Sequence, residues 1–217
     1  MKSILTVTSA AANRALVALD QVKLELGVTD TASDELLEIY RQRVSQSIAS
    51  DCGREFARDE VTQVFTSGDD EGVIDADFLI LGRAFPDPTC AANYCTVASV
   101  TEDETVLDAS AYEIDAAAGL LYRMSGGRRT DWCASRITVV FTAGYAMPDD
   151  GDSTLPLELS GAAVELIKAE KFNQGRDRAL KGENILSGLY SYTVSESSGW
   201  PASVTDILDK YRNRVIA

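Results

Sequence analysis

The side chains that could do chemistry in this chain are mainly carboxylates. Three short acidic groups stand out, at residues 69–71, 102–104 and 149–152. Carboxylate oxygens bind Ca²⁺, and a pair of carboxylates is what glycoside hydrolysis requires. Asp150 and Asp152 have the spacing that opens a calcium loop, but the glycine at its sixth position and the glutamate at its twelfth are missing. We therefore interpret these groups as solvated loop charge, and expect no metal site and no catalytic pair.

Histidine and cysteine set a second limit on chemistry. The chain has no histidine, which excludes Ser-His-Asp and Cys-His catalysis. None of its four cysteines, Cys52, Cys90, Cys95 and Cys133, forms a C-x-x-C pair, so a zinc site is not indicated. Cys90 and Cys95 could form a disulfide in an oxidising compartment, but free thiols in a reducing cytoplasm are favoured.

The charge balance bears on nucleic-acid and cofactor binding. The net charge is -14 and the pI about 4.4, the opposite of a protein that grips phosphates over a broad surface. Gly126-Gly127 and Gly182 lack the setting of a phosphate-binding loop, so we expect no cofactor. Arginines cluster at 128–129 and 176–178. Contact with DNA or an acidic partner stays open there, although ordinary surface charge is favoured.

The elements that position these residues predict an α+β fold. With 217 residues and 45% hydrophobic content, we expect a single domain spanning 1–217, a small helical bundle with an inserted antiparallel β-rich element and a long loop. Helices are predicted over about 19–56 and 155–173. An apolar stripe marks the long part of the first region, at Leu36, Leu37, Tyr40, Val44, Ile48 and Cys52. Packing on the protein's own sheet is favoured for this stripe over a subunit contact.

Strand signals dominate residues 61–145. The predicted strands are 61–66, 78–81, 95–100, 111–114, 119–123 and 136–145, with turns at 115–119 and 125–128. Their short spacing favours antiparallel pairing.

The remaining segments are the two ends and one long loop. The loop is predicted over about 173–201, and the alternating residues 189–194 within it could form an edge strand. A helix or tail follows at about 203–217. The apolar run at residues 1–7 is too short for a signal peptide, and no membrane span is expected.

The order of these landmarks resembles the gp6-like head-tail connector (adaptor, head completion) family of tailed bacteriophages. The matching pieces are 19–27, 52–56, 112–115, 119–123, 139–145, 155–156, 188–193 and 208–212. The β-rich insertion at 61–145 is larger than in short members of the family.

The resemblance implies a structural virion protein rather than an enzyme. It implies a dodecameric homo-oligomeric ring between the capsid portal and the next neck or tail protein, extending a channel through which packaged DNA passes without specific binding. Assembly would begin in the host cytoplasm and end at the head-tail junction. The tail that grips the portal in the family maps onto Lys210, Tyr211, Arg212, Asn213, Arg214, Val215 and Ile216.

Contacts between subunits are expected from the long loop. Added to a neighbour's sheet edge, it would place four residues at the interface, Leu189, Tyr190, Tyr192 and Val194. Two alternatives to a connector stay open. A carboxylate-dependent hydrolase would need a buried acidic pair in a cleft, and a DNA-end-binding phage module would need a basic face.

Overall fold

The structure is a computed structural model that describes residues 1–67, 72–84, 94–172, 184–185, 188–189 and 200–212. Contacts between Cα atoms divide the chain into two compact units. The β-rich unit comprises Met1–Asn13 and Glu55–Ala146, and the helical unit comprises Arg14–Arg54 and Met147–Ala217. The α+β class is therefore confirmed, with a β-rich element inserted in the sequence of a helical bundle. The single domain over 1–217 stays a prediction.

The bounds of the described elements are as follows. The helices are α1 Leu19–Leu26, α2 Asp34–Cys52, α3 Leu157–Phe172 and α4 Ala202–Leu208. The strands of the β-rich unit are β1 Lys2–Ser9, β2 Asp59–Thr66, β3 Ile74–Ala76, β4 Leu79–Ile80, β5 Cys95–Glu102, β6 Thr105–Val106, β7 Tyr112–Asp115, β8 Leu120–Ser125, β9 Arg128–Thr130, β10 Trp132–Ala134 and β11 Arg136–Ala143. Strands β12 Asn184–Ile185 and β13 Gly188–Leu189 belong to the helical unit.

One antiparallel sheet, which we call the main sheet, organises the β-rich unit. Its order is β1-β2-β11-β5-β6, and Val61 of β2 lies opposite Phe141 of β11. Both side chains are completely buried, as are Ile137 and Val139 on the same face. The intervening residues of β11 are threonine and valine and are only half-buried. The main sheet therefore has one core face and one open face, as its period-two pattern requires.

A second antiparallel group joins β4, β8, β7 and β9, and β10 pairs with β3. Trp132 of β10 is fully buried, and its indole N–H donates to the Leu121 carbonyl of β8 at 3.2 Å. The predicted turn between β7 and β8 is confirmed, with the Asp115 carboxylate accepting from Ala117 and Ala118 amides. Gly119 closes that turn at a φ of 69°, where a Cβ would lie 1.8 Å from the Ala84 carbonyl oxygen.

Each predicted strand region contains an observed strand, but several strands were missed. β3, β6, β9 and β10 are two or three residues long, which is too short for a periodic signal. β1 has eight residues and gave no signal for a different reason. It lies at the edge of the main sheet with side chains exposed on both faces, so no alternation of polarity marks it.

In the helical unit, the predicted stripe on α2 is a packing face, but the prediction that it packs on the protein's own sheet is wrong, because α2 packs against α1 and α3. Leu37, Val44, Ile48 and Cys52 are buried, although Leu36 is only half-buried. The predicted extension of this helix to residue 56 is wrong. Gly53 adopts a left-handed φ of 61°, and the backbone N–H groups of residues 53 and 54 bond back to the carbonyls of Ser50 and Ala49. This is the ordinary glycine-dependent way in which a helix ends.

A buried segment at residues 15–17 holds α2 and α3 together through its backbone. The Ser45 hydroxyl of α2 accepts from the Leu16 N–H at 2.9 Å, and the Ser160 hydroxyl of α3 donates to the Leu16 carbonyl at 2.8 Å. The buried Arg41 guanidinium donates to the Val17 carbonyl at 3.0 Å. Three side chains thus satisfy backbone groups that burial would otherwise leave unpaired.

Candidate functional site

The C-terminal segment of the described chain contains the first of the predicted portal-binding residues. Helix α4 begins after Pro201 and buries Val204 and Leu208. Within the described part of the terminal helix or tail predicted at 203–217, the helix ends at Leu208. The backbone then turns, because the N–H groups of Tyr211 and Arg212 both bond back to the Leu208 carbonyl, at 2.9 and 3.0 Å. We call residues 208–212 the C-terminal anchor.

Tyr211 is the buried centre of this anchor. Its side chain is fully buried, and its hydroxyl donates to Glu158 Oε1 of α3 at 2.5 Å. The Lys210 ammonium lies 2.8 Å from Glu158 Oε2. The hydrogen bonds from Lys210 and Tyr211 hold the pKa of Glu158 below its usual value. The Glu158 carboxylate on α3 therefore binds the side chains of two neighbouring residues of the anchor.

Arg212 attaches the same anchor to the end of α2. Its guanidinium forms a forked ion pair with Asp51, with N–O distances of 2.9 and 3.1 Å, and meets Asp209 at 2.5 Å. The Asp51 hydrogen bonds raise the pKa of Arg212. The Cys52 thiol donates to the Leu208 carbonyl, with 3.9 Å between sulfur and oxygen. The end of α2 thus holds both the start and the end of the anchor.

The predicted portal-binding set is only partly described. Lys210, Tyr211 and Arg212 converge on α2 and α3 of their own chain, and Tyr211 has no exposed surface. Asn213, Arg214, Val215 and Ile216 lie outside the described residues. No contact with a partner is part of the structure, so this assignment stays a prediction.

The predicted inter-subunit loop is described at two short strands. Leu189 of β13 lies opposite Asn184 of β12 in an antiparallel pair. Tyr190, Tyr192 and Val194 lie outside the described residues, and the role of all four in subunit contacts stays a prediction. Helix α3 is described to Phe172, and the predicted start of the loop near residue 173 lies outside the described residues.

The acidic groups that the sequence marked act as structural acceptors where they are described. The Asp103 carboxylate accepts from the backbone N–H groups of Ser135 and Arg136, at 2.9 and 3.0 Å. Glu102 pairs with Arg123 at 3.1 Å, while Asp149 pairs with Arg41. The Asp150 carboxylate accepts from the Met147 N–H. Residues 69–71 lie outside the described residues. Elsewhere in the described chain, no cluster of three acidic or cysteine side chains could hold a metal ion.

One pair of carboxylates missed by sequence reasoning lies at the β3–β10 end of the β-rich unit. Asp77 follows β3 and Asp131 precedes β10, and a hydrogen bond between the two side chains raises the pKa of Asp131. Both are solvent-exposed turn residues. The hydrolase alternative requires a buried pair, which this arrangement does not provide.

The described part of the arginine cluster at 128–129 and three of the four cysteines can be assigned an environment in the structure. The Arg129 guanidinium lies 3.7 Å from the Tyr122 ring centroid and 3.3 Å from Glu113. Residues 176–178 and Cys90 lie outside the described residues. Burial raises the pKa of the Cys52 and Cys95 thiols to about 12, so both stay protonated near neutral pH. Cys133 is an exposed free thiol.

Among the described helices, none is long and apolar enough to cross a membrane.

The comparisons with known proteins agree with the landmarks read from the sequence. Residues 17–81 match the model of a family described as phage gp6-like head-tail connector protein, which confirms the predicted resemblance over that stretch. No curated protein matches the chain.

Solved structures match over nearly the whole chain. A chain in the neck of an empty GTA particle, computed with C6 symmetry, is 17% identical with a TM-score of 0.58. A chain in the neck of a native GTA particle, computed with C12 symmetry, is also 17% identical, with a TM-score of 0.53. A chain in the virion of a native gene transfer agent (GTA) particle is 15% identical, with a TM-score of 0.52. Each match covers 99% of this chain and 97% of the other. At these identities the likeness establishes a common fold.

Proposed function

We propose that this protein is a structural component of a virion neck, which forms a ring between the capsid portal and the next neck or tail protein. The observation that carries the proposal is the match of 99% of the chain to 97% of a chain from the neck of a GTA particle. The likeness therefore extends over the helical unit, the inserted β-rich unit and the C-terminal anchor.

The family match supports the same role from the sequence. It covers residues 17–81, which contain α1, α2 and the first inserted strands. The matched neck structures were computed with C6 and C12 symmetry, which supports a homo-oligomeric ring. We take twelve copies as the working number, because it is the larger of the two symmetries and agrees with the resemblance.

The C-terminal anchor fits a tail that leaves the body at a defined place. Tyr211 and Arg212 fasten the chain to α3 and α2, so the residues after Arg212 start from a fixed point. In our proposal, Asn213, Arg214, Val215 and Ile216 contact the portal, and Lys210, Tyr211 and Arg212 position them. A fixed departure point lowers the entropy lost when a short tail binds.

The test is deletion of the gene from the genome that encodes the particle, followed by electron microscopy of the lysate. Filled or leaking heads separate from finished tails are expected, and a plasmid copy of the gene should restore joined particles. A copy truncated after Arg212 is the matched variant. It keeps the whole anchor, so it should fold yet fail to restore joining.

Two outcomes would count against the proposal. Normal joined particles without the gene would contradict a neck role. Normal joining by the truncated copy would contradict portal contact by the tail while leaving the neck role intact.

A further inference from the structure

The outer edge of β1 is a long backbone edge without a partner in the described structure. β1 has eight residues and pairs on one side with β2. Ile4 is 71% exposed, and every side chain of β1 except that of Leu5 is exposed. The strand carries one charged side chain, Lys2 at its start.

The opposite edge of the main sheet has the same character. β6 covers only the end of β5, where Thr101 lies opposite Val106 and Glu102 opposite Thr105. A bond from the Leu107 N–H to the Val100 carbonyl extends that cover by one residue. Residues 95–99 pair with β11 on their inner side, and among the described residues nothing bonds to their outer side. These five residues carry no charge.

Two such edges are unusual for a protein that stays alone. Edge strands are normally short, charged, interrupted by proline or a β-bulge, or covered, because exposed N–H and C=O groups recruit other strands. β1 has one bulge, at Thr8, and β5 has one, at Ala98, which leaves residues 2–7 and 95–97 as regular edges. Although the chain carries a net charge of -14, β1 and residues 95–99 have one charged side chain between them, Lys2, and the acidic residues 102–104 lie beyond them at the β6 end. Copies of such a chain repel one another over most of their surface, so a neutral edge is where they approach at least cost.

The strand directions allow the two edges to meet. β1, β2, β11 and β5 alternate in direction, so β1 and β5 run opposite ways. Rotation of a neighbouring copy about an axis roughly along the strands would bring its β1 beside β5 in an antiparallel pair. Such a contact joins two different surfaces, as a closed ring of identical subunits requires.

We propose that β1 of one copy adds to β5 of the next, so that the main sheets of a ring form one continuous antiparallel sheet. This inference rests on the proposed function, since it assumes a ring. Twelve copies with four long strands each would give a ring of about 70 Å diameter before strand tilt widens it, at about 4.8 Å per strand. A ring of that diameter leaves room for a central channel.

The test is cysteine cross-linking in assembled particles. Lys2, Ile4 or Thr6 is replaced by cysteine together with Thr96→Cys, in a chain that also carries Cys90→Ser and Cys133→Ser. Three positions on β1 are needed because a shift of two residues changes the partner but keeps the face. After mild oxidation, at least one combination should give a ladder of dimers, trimers and larger multimers on a non-reducing gel.

Matched controls separate this contact from others. Thr6→Cys with Thr130→Cys, on the exposed strand β9, should give no ladder. Thr6→Cys alone should give no multimers. Dimers from that single variant would indicate two-fold β1–β1 pairing and would overturn the proposal.

The remaining outcomes distinguish the edge contact from the neck role. Absence of a ladder in all three combinations, with the chain present in the particles, overturns the edge contact and leaves the neck role standing. Absence of the native chain from purified particles contradicts the neck role itself.

A charge pair gives a second readout that needs no disulfide. At the β1 position that cross-links to residue 96, lysine together with Thr96→Lys should prevent incorporation into particles, and lysine together with Thr96→Glu should restore it, because opposite charges across neighbouring strands attract. Equal incorporation of the two double variants would also count against the contact.

Discussion

Strand β1 and the C-terminal anchor differ in the burial of their side chains and in the pairing of their polar groups. At the N-terminal end, β1 exposes nearly all its side chains and is held to β2 by backbone pairing and by the Thr8 hydroxyl, which donates to Glu60. At the C-terminal end, Leu208 and Tyr211 are fully buried, and Lys210 and Arg212 are in ion pairs. One end offers unpaired backbone groups on a neutral edge, whereas the other has its polar groups already satisfied.

Because of this difference, we expect β1 to serve as a binding surface and residues 208–212 to stabilise the fold. A buried aromatic side chain with a hydrogen-bonded hydroxyl contributes to the stability of its own unit. An exposed edge strand contributes less to that stability, because few of its side-chain atoms leave water on folding. Substitutions should therefore affect folding at the C-terminal end and association at the N-terminal end.

The largest effect is expected for Tyr211→Ala. Removing a fully buried aromatic ring from the anchor should lower the free energy of unfolding of the helical unit by about 3–5 kcal/mol. Tyr211→Phe keeps the ring and loses the bond to Glu158, so about 1 kcal/mol is expected there. Urea unfolding followed by far-ultraviolet circular dichroism measures both. Similar losses for the two variants would show that packing of the ring is not what holds the anchor.

A smaller effect with a defined pH dependence is expected for Glu158→Gln. Its hydrogen bonds with Lys210 and Tyr211 hold the pKa of Glu158 below its usual value in the folded state. Stability from this group is therefore fully present above the unfolded pKa and is lost as the pH falls through the folded pKa. Because the Glu158 side chain is one-third exposed, we expect a loss of about 1 kcal/mol at neutral pH.

Thermal unfolding of Glu158→Gln from pH 7 to 3 measures that dependence. The difference in unfolding temperature between the native protein and the variant should become smaller as the pH falls below the usual pKa of a glutamate, about 4.3. Glu104→Gln in the exposed turn after β5 is the control and should leave the profile unchanged. A gap that stays constant down to pH 3 would show that the Glu158 charge is not the cause.

The smallest effect on folding is expected for Ile4→Lys. Ile4 is 71% exposed, so its replacement should change the free energy of unfolding of the isolated chain by no more than about 0.5 kcal/mol. Differential scanning calorimetry of the isolated chain measures this. A loss above about 2 kcal/mol would mean that β1 belongs to the core of its unit, and would remove the contrast between the two ends.

The sequence was most informative where one face of an element is buried. The stripe on α2 and the alternation in β11 both follow from burial on one side, and both were predicted close to their observed bounds. It was least informative at β1, where neither face is buried and polarity carries no period. Strands β3, β6, β9 and β10 were missed through their length alone. For the candidate site, portal binding by residues 210–216 stays a prediction, and the sequence did not show that the side chains of Lys210, Tyr211 and Arg212 point toward α2 and α3.

By itself, the amino-acid sequence determined the fold class, the insertion of strands between helices, the absence of histidine-based chemistry and the likeness to a connector family. These depend on composition, local periodicity and the order of elements along the chain. The tertiary structure alone decided that Tyr211 and Lys210 meet Glu158, about fifty residues away in sequence, and that Arg212 meets Asp51. It also placed β1 at one edge of the main sheet, and β5 beside the two-residue strand β6 at the other. Such long-range pairings leave no local pattern in the sequence, because they depend on how distant elements pack together.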